Sequence, residues 1–248
     1  MDNILKIKNL KKIYHTKSSE ILAVDNFSLD INEGDFIAIV GPSGCGKSTI
    51  LSILCGLDKK SSGEITLKEN TKMGYMLQKD CLFEWRNILD NCLLGLEINK
   101  SLNNNSKKTV LNMLESYGLK EFINSYPDNL SGGMRQRVAL IRTLSTSPDI
   151  LLLDEPFSAL DYQSRLTISD DIYKILKKEH KTMIMVTHDI AEAISMCDKV
   201  IVLSKRPSVI KNTYEIKLDN KSTPINNRND KKFNYYYEKI WKDIDHHV

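Results

Sequence analysis

One nine-residue stretch constrains this chain more than any other, because it combines glycines with a lysine and two hydroxyl residues. It lies between an apolar run at 36–40, typical of a buried parallel strand, and an apolar run at 50–54, typical of a helix. Glycines let several backbone N–H groups converge on one anion, and the helix adds its positive end. The pattern G-x-x-x-x-G-K-[ST] predicts a phosphate-binding loop made of Gly41, Pro42, Ser43, Gly44, Cys45, Gly46, Lys47, Ser48 and Thr49.

Two side chains of this loop have predicted chemical roles. Lys47 can reach the β- and γ-phosphates of a nucleotide, and the Ser48 hydroxyl can bind Mg²⁺. The alternative is a glycine-rich turn that binds nothing, which would require nine residues and both flanking runs to agree by chance. Cys45 stands inside the loop, and a small residue that only fills space is the simplest interpretation of it.

Composition limits the classes of protein to which the chain can belong. The chain has 248 residues, of which 41% are hydrophobic, enough for one sizeable core and a subdomain. A net charge of +3 gives no strong case for a nucleic-acid partner. The five cysteines form no C-x-x-C pair and look like reduced cytosolic thiols. No apolar run approaches the roughly 18 residues of a membrane span, and the N-terminus has no signal-peptide core.

Two acidic residues follow the apolar run 150–153, which predicts a fully buried strand. Ligands bind at the carboxyl ends of parallel strands, so Asp154 and Glu155 are candidate site residues. Successive side chains on a strand point in opposite directions, which gives the two acids different roles. Asp154 suits the Mg²⁺ shell, and Glu155 suits a base for an attacking water. A pair of solvated acids at a strand end is the alternative interpretation.

A further buried strand is predicted over 182–186, and His188 comes just after it. A single histidine is most often structural. At the tip of a core strand in a nucleotide-binding fold, however, it is a candidate contact for the γ-phosphate. The last clear strand is predicted over 200–203.

Alternating apolar residues predict three half-buried strands, near 4–10, 27–31 and 65–67, which look antiparallel and peripheral. Tyr14 is placed between the first two and could stack on a purine, although such a residue is more often used in packing. The pattern becomes helical from 81 to 145.

This helical insertion is predicted to contain a polar loop at 99–106 and a helix that ends at Gly118. It also contains a second glycine-rich helix start. Ser131 is a good N-cap, and Gly132 and Gly133 follow it, so the backbone there forms a second potential phosphate site. On the residues alone, an ordinary capped helix is an equally good interpretation.

The end of the chain is interpreted as a linker followed by a helix. Residues 219–232 are polar and charged. Beyond them, helical spacing of apolar side chains predicts a short amphipathic helix that contains Phe233, Tyr237, Ile240, Trp241 and Ile244. We expect this helix to dock on its own domain rather than on a partner. His246 and His247 are weak candidates for a metal site.

The order of these motifs resembles the ATP-binding subunits of ABC transporters, over nearly the whole chain as far as Leu203. Gln78 stands where that family has its Q-loop glutamine. The run LSGGMRQ at 130–136 is similar to the LSGGQ-type signature, with Met134 in place of the glutamine.

The remaining motifs of that family follow in the same order. Residues 150–156 resemble its Walker B strand with the following glutamate, and residues 158–161 resemble its D-loop. His188 matches the switch histidine, and Tyr14 matches the aromatic residue that stacks on adenine.

The resemblance implies an α/β fold, namely a RecA-like P-loop NTPase. Its parallel sheet core would carry an antiparallel β-subdomain and a helical subdomain at about 81–145. The nucleotide-binding domain would cover 1–205. Residues 206–248 would form a C-terminal tail with a linker and a short amphipathic helix.

The resemblance also implies the ligands and the site residues. ATP and Mg²⁺ would be bound, with Glu155, His188 and Gln78 as catalytic residues. Ser48, Gln78 and Asp154 would surround the metal ion.

In this family two subunits pack head to tail, and each ATP lies between the phosphate loop of one and the signature of the other. Ser131 and Gly133 would contact the γ-phosphate across the interface, with Gly132 between them. One chain has one loop and one signature, so two copies would complete two sites with twofold symmetry. Hydrolysis would remove the γ-phosphate contacts and weaken the interface.

A narrower resemblance concerns the segment 82–91, which is similar to that of the nitrate/sulfonate/taurine importer group, except at Glu84, where the group usually has proline. It implies a subunit that energises a bacterial importer of a small solute at the cytoplasmic face of the cell membrane. Phe83, Trp85 and Arg86 would lie near the groove that receives the permease. The two aromatic residues could instead belong to the core of the helical subdomain.

An extracytoplasmic solute-binding protein would be an indirect partner. A soluble ABC ATPase that acts on DNA or ribosomes is one alternative, but such proteins usually carry a long coiled coil or two nucleotide domains. An exporter subunit is the other alternative, and its signature would more often be LSGGEQQR.

Overall fold

The structure, a computed structural model, describes residues 3–158 and 160–245 and contains two sheets flanked by helices. The larger sheet has six strands, which in spatial order are β5 (Met73–Met76), β6 (Ile150–Asp154), β7 (Thr182–Val186), β3 (Phe36–Val40), β8 (Lys199–Leu203) and β9 (Ile210–Glu215). The smaller sheet has three, in the order β2 (Glu20–Asn32), β1 (Asn3–His15) and β4 (Ser62–Leu67).

The first five strands of the larger sheet run parallel, as predicted for the core. Every residue of β3, β6 and β7 is buried, because both faces of the sheet are covered and each strand is an unbroken apolar run. Strand β3 lies between β7 and β8, with Ile37 opposite Ile184 on one side and Lys199 on the other. The loops after β3, β6 and β7 therefore leave the sheet at the same edge.

The smaller sheet is antiparallel, which confirms the three predicted peripheral strands. Strand β1 is longer than the pattern at 4–10 suggests, because backbone pairing with β2 resumes after several register irregularities. Tyr14 is consequently part of β1, opposite Ile21, and not part of a connecting segment as predicted.

Eight α-helices lie within the described ranges, and the last two follow β9. They are α1 (Lys47–Leu54), α2 (Ile88–Ile98), α3 (Asn104–Ser116), α4 (Gly132–Leu144), α5 (Tyr162–Lys178), α6 (Ile190–Met196), α7 (Pro224–Asn227) and α8 (Phe233–Asp245). Helices α2, α3 and α4 lie within the stretch 81–145, and they share one hydrophobic core with one face of the larger sheet. Gly118, with φ of 71°, follows the end of α3 as predicted.

The predicted polar loop at 99–106 is too long, because α3 already begins at Asn104. The Asn103 side chain accepts hydrogen bonds from the backbone N–H groups of Asn105 and Ser106, and Ser106 accepts one from the backbone of Asn103. This reciprocal capping starts a helix inside an asparagine-rich run whose composition indicates a loop.

The prediction that 200–203 is the last strand is wrong, since β9 pairs antiparallel with β8. Strand β9 is an edge strand in which no residue is fully buried and most are polar, so it has no apolar pattern to detect. The interpretation of 219–232 as a linker also misses α7, where Asn227 donates to the Ser195 carbonyl at 2.7 Å and is fully buried. The domain boundary at 205 stays a prediction, and the larger sheet continues beyond it.

The C-terminal amphipathic helix is α8, and it docks on its own domain as expected. Ile240 and Phe233 are buried in the main core, while Tyr237 and Trp241 stack on each other at the surface. His246 and His247 lie outside the described residues. No helix within 3–158 and 160–245 combines the length and the apolar character needed to cross a membrane.

Candidate nucleotide site

The phosphate loop is held from within by its own lysine. The Lys47 ammonium donates to the carbonyls of Gly41 and Pro42, at 2.8 and 3.0 Å, and is almost fully buried. Gly44 and Gly46 have φ angles of 72° and 120°, which only glycine adopts readily. The loop therefore forms an open ring around a positive charge at the start of α1, where an anion is stabilised by the helix dipole as well.

The loop's buried thiol has the role of a space filler. Cys45 is 1% exposed, and its sulfur lies 3.2 Å from where a side chain on Gly41 would begin. Burial raises the pKa of the Cys45 thiol, and the nearby Lys47 charge opposes this only in part. The thiol is thus neutral and apolar, which agrees with the predicted interpretation.

A carboxylate at the end of β6 faces the phosphate loop. The Ser48 hydroxyl donates to one Asp154 oxygen at 3.0 Å, and the Tyr75 hydroxyl donates to the other at 3.0 Å. Burial raises the pKa of Asp154, while these two hydrogen bonds lower it. Burial and the same carboxylate raise the pKa of Tyr75, so this phenol stays a donor.

A hard cation fits this pair of oxygens. Mg²⁺ prefers hydroxyl and carboxylate oxygen ligands, and a buried carboxylate gains most from a nearby cation. Ser48 and Asp154 are therefore suited to hold the metal ion. Tyr75 was not predicted from the sequence, although it lies on the strand next to Asp154, and β5 is too short for its pattern to single out one residue.

Three predicted catalytic residues meet on the other side of the phosphate loop. The Gln78 side-chain amide donates to Glu155 Oε2 at 2.9 Å, and His188 Nδ1 lies 3.3 Å from the same oxygen. They come from three separate loops, after β5, β6 and β7. The parallel sheet brings them together because these strands end at one edge.

These loops enclose a cleft of ≈ 480 Å³ whose wall contains Ser43, Gly44, Gly46, Lys47, Ser48, Thr49, Gln78, Glu155 and His188. Backbone N–H groups of the phosphate loop and Lys47 line one side of the cleft. Glu155, with Gln78 and His188, lines the other side. The arrangement can hold a triphosphate in the loop and leave its terminal phosphorus facing Glu155.

Tyr14 lies at the margin of this region. Its hydroxyl donates to Asp58 at 2.8 Å and approaches the Thr49 hydroxyl at 3.4 Å, so the ring is fixed beside the start of α1. The Lys12 ammonium lies 4.5 Å from the centre of the ring. The ring is 37% exposed, which leaves surface for a stacking partner.

The signature residues lie apart from the cleft. Ser131 caps α4 by accepting from the Met134 backbone at 3.4 Å, so the local geometry is that of an ordinary capped helix. Gly132 and Gly133 are the first residues of α4, and none of the three lines the phosphate cleft. A side chain on Gly133 would begin 2.9 Å from the end of Ile168, so α4 and α5 pack closely there.

A residue beyond the last parallel strand also reaches the phosphate loop. Arg206 donates from two nitrogens to the Gly44 carbonyl, at 3.0 and 3.3 Å. The contact between Arg206 and Gly44 was not predictable from the sequence, because the two residues are 162 positions apart and no local pattern links them.

The fold and the site together define a class: a P-loop ATPase with a phosphate loop after the central strand and an acidic pair at the end of a neighbouring strand. Comparison with known proteins agrees. Residues 24–158 match the family model described as ABC transporter.

Two relatives and one solved structure are informative. The chain is 40% identical to an uncharacterized ABC transporter ATP-binding protein, YtlC, of Bacillus subtilis (strain 168), over 98% of this chain and 96% of the relative. It is 37% identical to the aliphatic sulfonates import ATP-binding protein SsuB of Bacillus cereus (strain ZK / E33L), over 86% of each. A dimeric post-hydrolysis state of the ATP-binding cassette MJ0796 bound to ADP and Pi is similar, with a TM-score of 0.75 and 32% identity, over 86% of this chain and 99% of that one.

The chain belongs to the ABC transporter family and is one of its ATP-binding, ATP-hydrolysing subunits. This confirms the fold class and the enzyme class predicted from the motifs.

Proposed function

We propose that this subunit energises a bacterial importer of a small solute, from the cytoplasmic face of the cell membrane, by binding and hydrolysing ATP with Mg²⁺. The observation that carries the chemistry is the convergence of Gln78 and His188 on one oxygen of Glu155, across a cleft from the phosphate loop. A network of this kind fixes a general base close to where the terminal phosphate would lie.

Hydrolysis then follows from the positions of these groups. The loop N–H groups and Lys47 bind the β- and γ-phosphates and stabilise charge that develops on the γ-phosphate oxygens. Glu155 accepts a proton from the water that attacks the γ-phosphorus, so the bond to the β-phosphate oxygen breaks and ADP and phosphate form. Gln78 holds the carboxylate in place, and His188 contacts the γ-phosphate.

Ser48, Gln78 and Asp154 are the residues proposed around Mg²⁺. When bound, the ion neutralises charge on the β- and γ-phosphates. Ser48 and Asp154 already face each other, whereas Gln78 bonds to Glu155 in this structure.

A second copy of the chain is the proposed partner at the nucleotide. Ser131 and Gly133, together with α5 side chains, line a separate surface depression of ≈ 350 Å³. A monomer cannot bring this surface to its own phosphate cleft, but a head-to-tail pair can, which completes two sites. The dimeric form of the similar cassette bound to ADP and Pi supports this arrangement. Tyr14 would stack on the adenine.

The proposed permease contact is an aromatic surface before α2. Phe83 and Trp85 stack, with ring centres 4.8 Å apart, and Trp85 is 75% exposed. This exposure favours a contact surface over the core of the helical subdomain. The Arg86 guanidinium donates to the Glu97 carboxylate at 2.7 Å, which fixes this side chain beside α2.

The solute is proposed from resemblance to be small and sulfonate-, taurine- or nitrate-like, since the sulfonate import protein is among the relatives. A permease dimer would carry it, and an extracytoplasmic solute-binding protein would deliver it.

Co-purification from membranes tests the transporter role, and the two tryptophans of the chain supply a matched pair of variants. A tagged full chain is isolated from gently solubilised membranes of its host, beside Trp85→Ala and Trp241→Ala. We expect a multi-span permease with the native chain and with Trp241→Ala, and much less of it with Trp85→Ala.

Two results would contradict this proposal. Ribosomal or DNA-repair proteins in place of a permease would overturn the transport role while leaving the ATPase chemistry intact. Equal recovery of a permease by both tryptophan variants would overturn only the assigned contact surface.

A further inference from the structure

A cluster of charged side chains adjoins the turn that carries His188, and none of its members lines the cleft. Its centre is Arg165, in the first turn of α5. The guanidinium donates to the Leu160 carbonyl at 3.2 Å and to Asp189 at 3.1 Å. Its Nε lies 3.5 Å from a Glu192 oxygen. One side chain therefore contacts residues from two different loops and a helix.

The acidic members of the cluster fix the backbone on both sides of His188. Thr187 donates its hydroxyl to Glu192 at 2.8 Å, and the same hydroxyl accepts from the Asp189 backbone at 3.0 Å. Asp189 also caps α6, because it accepts from the backbone N–H groups of Ala191 and Glu192. His188 is thus held between two residues that cannot shift independently of the cluster.

The charges favour one arrangement. Glu192 is only 3% exposed and lies beside the Asp189 carboxylate, so its ionised form needs a cation nearby. Arg165 lies against both, and Arg228, from the segment after α7, also acts on Glu192. A flat guanidinium can bond to several acceptors at once, which an ammonium cannot do as well.

The other contact of Arg165 is the Leu160 carbonyl, just before the start of α5. Asp161 follows it and caps α5 by accepting from Ser164 at 3.0 Å. On the side of the active site, Ser158 donates its hydroxyl to the Glu155 carbonyl at 3.0 Å. Arg165 consequently joins the backbone at the start of α5 to the turn that carries His188.

We propose that Arg165 is a positioning residue for ATP hydrolysis, which holds His188 and the backbone at Leu160 in one fixed relation. It does so through Asp189, Glu192 and the Leu160 carbonyl, and it does not touch the nucleotide. This inference rests on the proposed function, because it assigns Arg165 to the same reaction. Loss of the Arg165 side chain slows the hydrolytic step and leaves ATP binding intact.

Three variants of the full chain test the proposal. Arg165→Gln removes the charge, and Arg165→Lys keeps it without the flat fork. Lys174→Gln is a control on the same helix that removes the ion pair of an exposed lysine with the buried carboxylate of Asp170. We expect Arg165→Gln to lower kcat about tenfold or more while KM for ATP stays within about twofold. Arg165→Lys should recover part of kcat, and Lys174→Gln should retain all of it.

A spectroscopic readout separates positioning from general destabilisation. The chain has five histidines, so the imidazole proton resonances can be assigned by substitution. In Arg165→Gln the position of the His188 resonance should shift, while those of His15 and His180 should not. Thermal unfolding of each variant is measured alongside.

Several outcomes would overturn the inference. They are a native kcat in Arg165→Gln, a parallel loss of kcat and ATP affinity, or an unmoved His188 resonance. If Arg165→Gln does not fold, Asp189→Asn is measured instead, because it keeps the cap oxygen but loses the charge. It must show a lowered kcat with a near-native KM for ATP. Absence of ATPase activity in the native chain would instead contradict the proposed function itself.

Discussion

At the scale of the residue, the proposed general base Glu155 has a strained backbone conformation. Its φ is 45°, in the left-handed region that costs a residue with a side chain on the order of 1 kcal/mol. The surroundings impose this conformation: its N–H donates to the Val186 carbonyl at 2.8 Å, and its own carbonyl accepts from Ser158. The result is that its carboxylate turns toward Gln78 and His188 and away from the strand.

Glu192 carries a testable dependence of stability on pH. Burial raises the pKa of this carboxyl to about 7, and the Asp189 charge adds to the effect. Between its ordinary value of 4.5 and about 7, the folded state keeps a proton that the unfolded state has released. The free energy of unfolding therefore falls as pH rises through this window.

Glu192→Gln removes this titration. From pH 5 to pH 8, the native chain should lose on the order of 2 kcal/mol of unfolding free energy relative to this variant. Urea unfolding at several pH values measures the difference, with the exposed Glu179→Gln as control. Unfolding free energies of native chain and Glu192→Gln that change in parallel with pH would show that Glu192 titrates normally.

At the scale of elements, the pairing of β5 with β6 supports the proposed metal site. Tyr75 lies opposite Leu152 in the parallel register, and its hydroxyl reaches across to Asp154. Hydrogen bonds to a metal-binding carboxylate orient it, and their loss typically weakens metal affinity by about 10- to 100-fold.

Tyr75→Phe should therefore raise the Mg²⁺ concentration needed for half-maximal activity by about tenfold. It should also weaken Mg²⁺-dependent protection of the nucleotide-bound protein against thermal unfolding. Tyr117→Phe is the matched control, because the Tyr117 hydroxyl is buried with no hydrogen-bond partner in residues 3–158 and 160–245. An unchanged Mg²⁺ requirement in Tyr75→Phe would contradict the supporting role of this strand.

The elements also show what the sequence could and could not predict. Central strands such as β3 and β7 were predictable because burial on both faces requires unbroken apolar runs. Edge strand β9 was not, since most of its residues are polar, none is fully buried, and its place depends on pairing with β8. The start of α3 depends on side-chain capping by Asn103, which overrides the loop-like composition of the segment.

The same distinction holds for the site. Gln78, Glu155 and His188 could be predicted because each belongs to a short motif at a strand end. The contacts made by Tyr75, Arg165 and Arg206 depend on three-dimensional proximity between distant segments, and only the structure reveals them.

At the scale of the whole molecule, the proposed mechanism depends on two surfaces that one chain cannot bring together. The phosphate cleft contains Lys47 and Glu155, whereas Ser131 and Gly133 face a different depression. A complete site in the proposed mechanism requires a second copy, and its stability should depend on the γ-phosphate that both copies would contact.

The most direct test is to measure the mass and the ATPase activity of Glu155→Gln in solution with ATP and Mg²⁺, by analytical ultracentrifugation and phosphate release. We predict an ATP-dependent dimer, twice the mass of one chain, with hydrolysis slowed by about 10²-fold or more. With ADP in place of ATP it should be monomeric. A Glu155→Gln chain that hydrolyses ATP at the native rate, or that stays monomeric when saturated with ATP, would contradict the account.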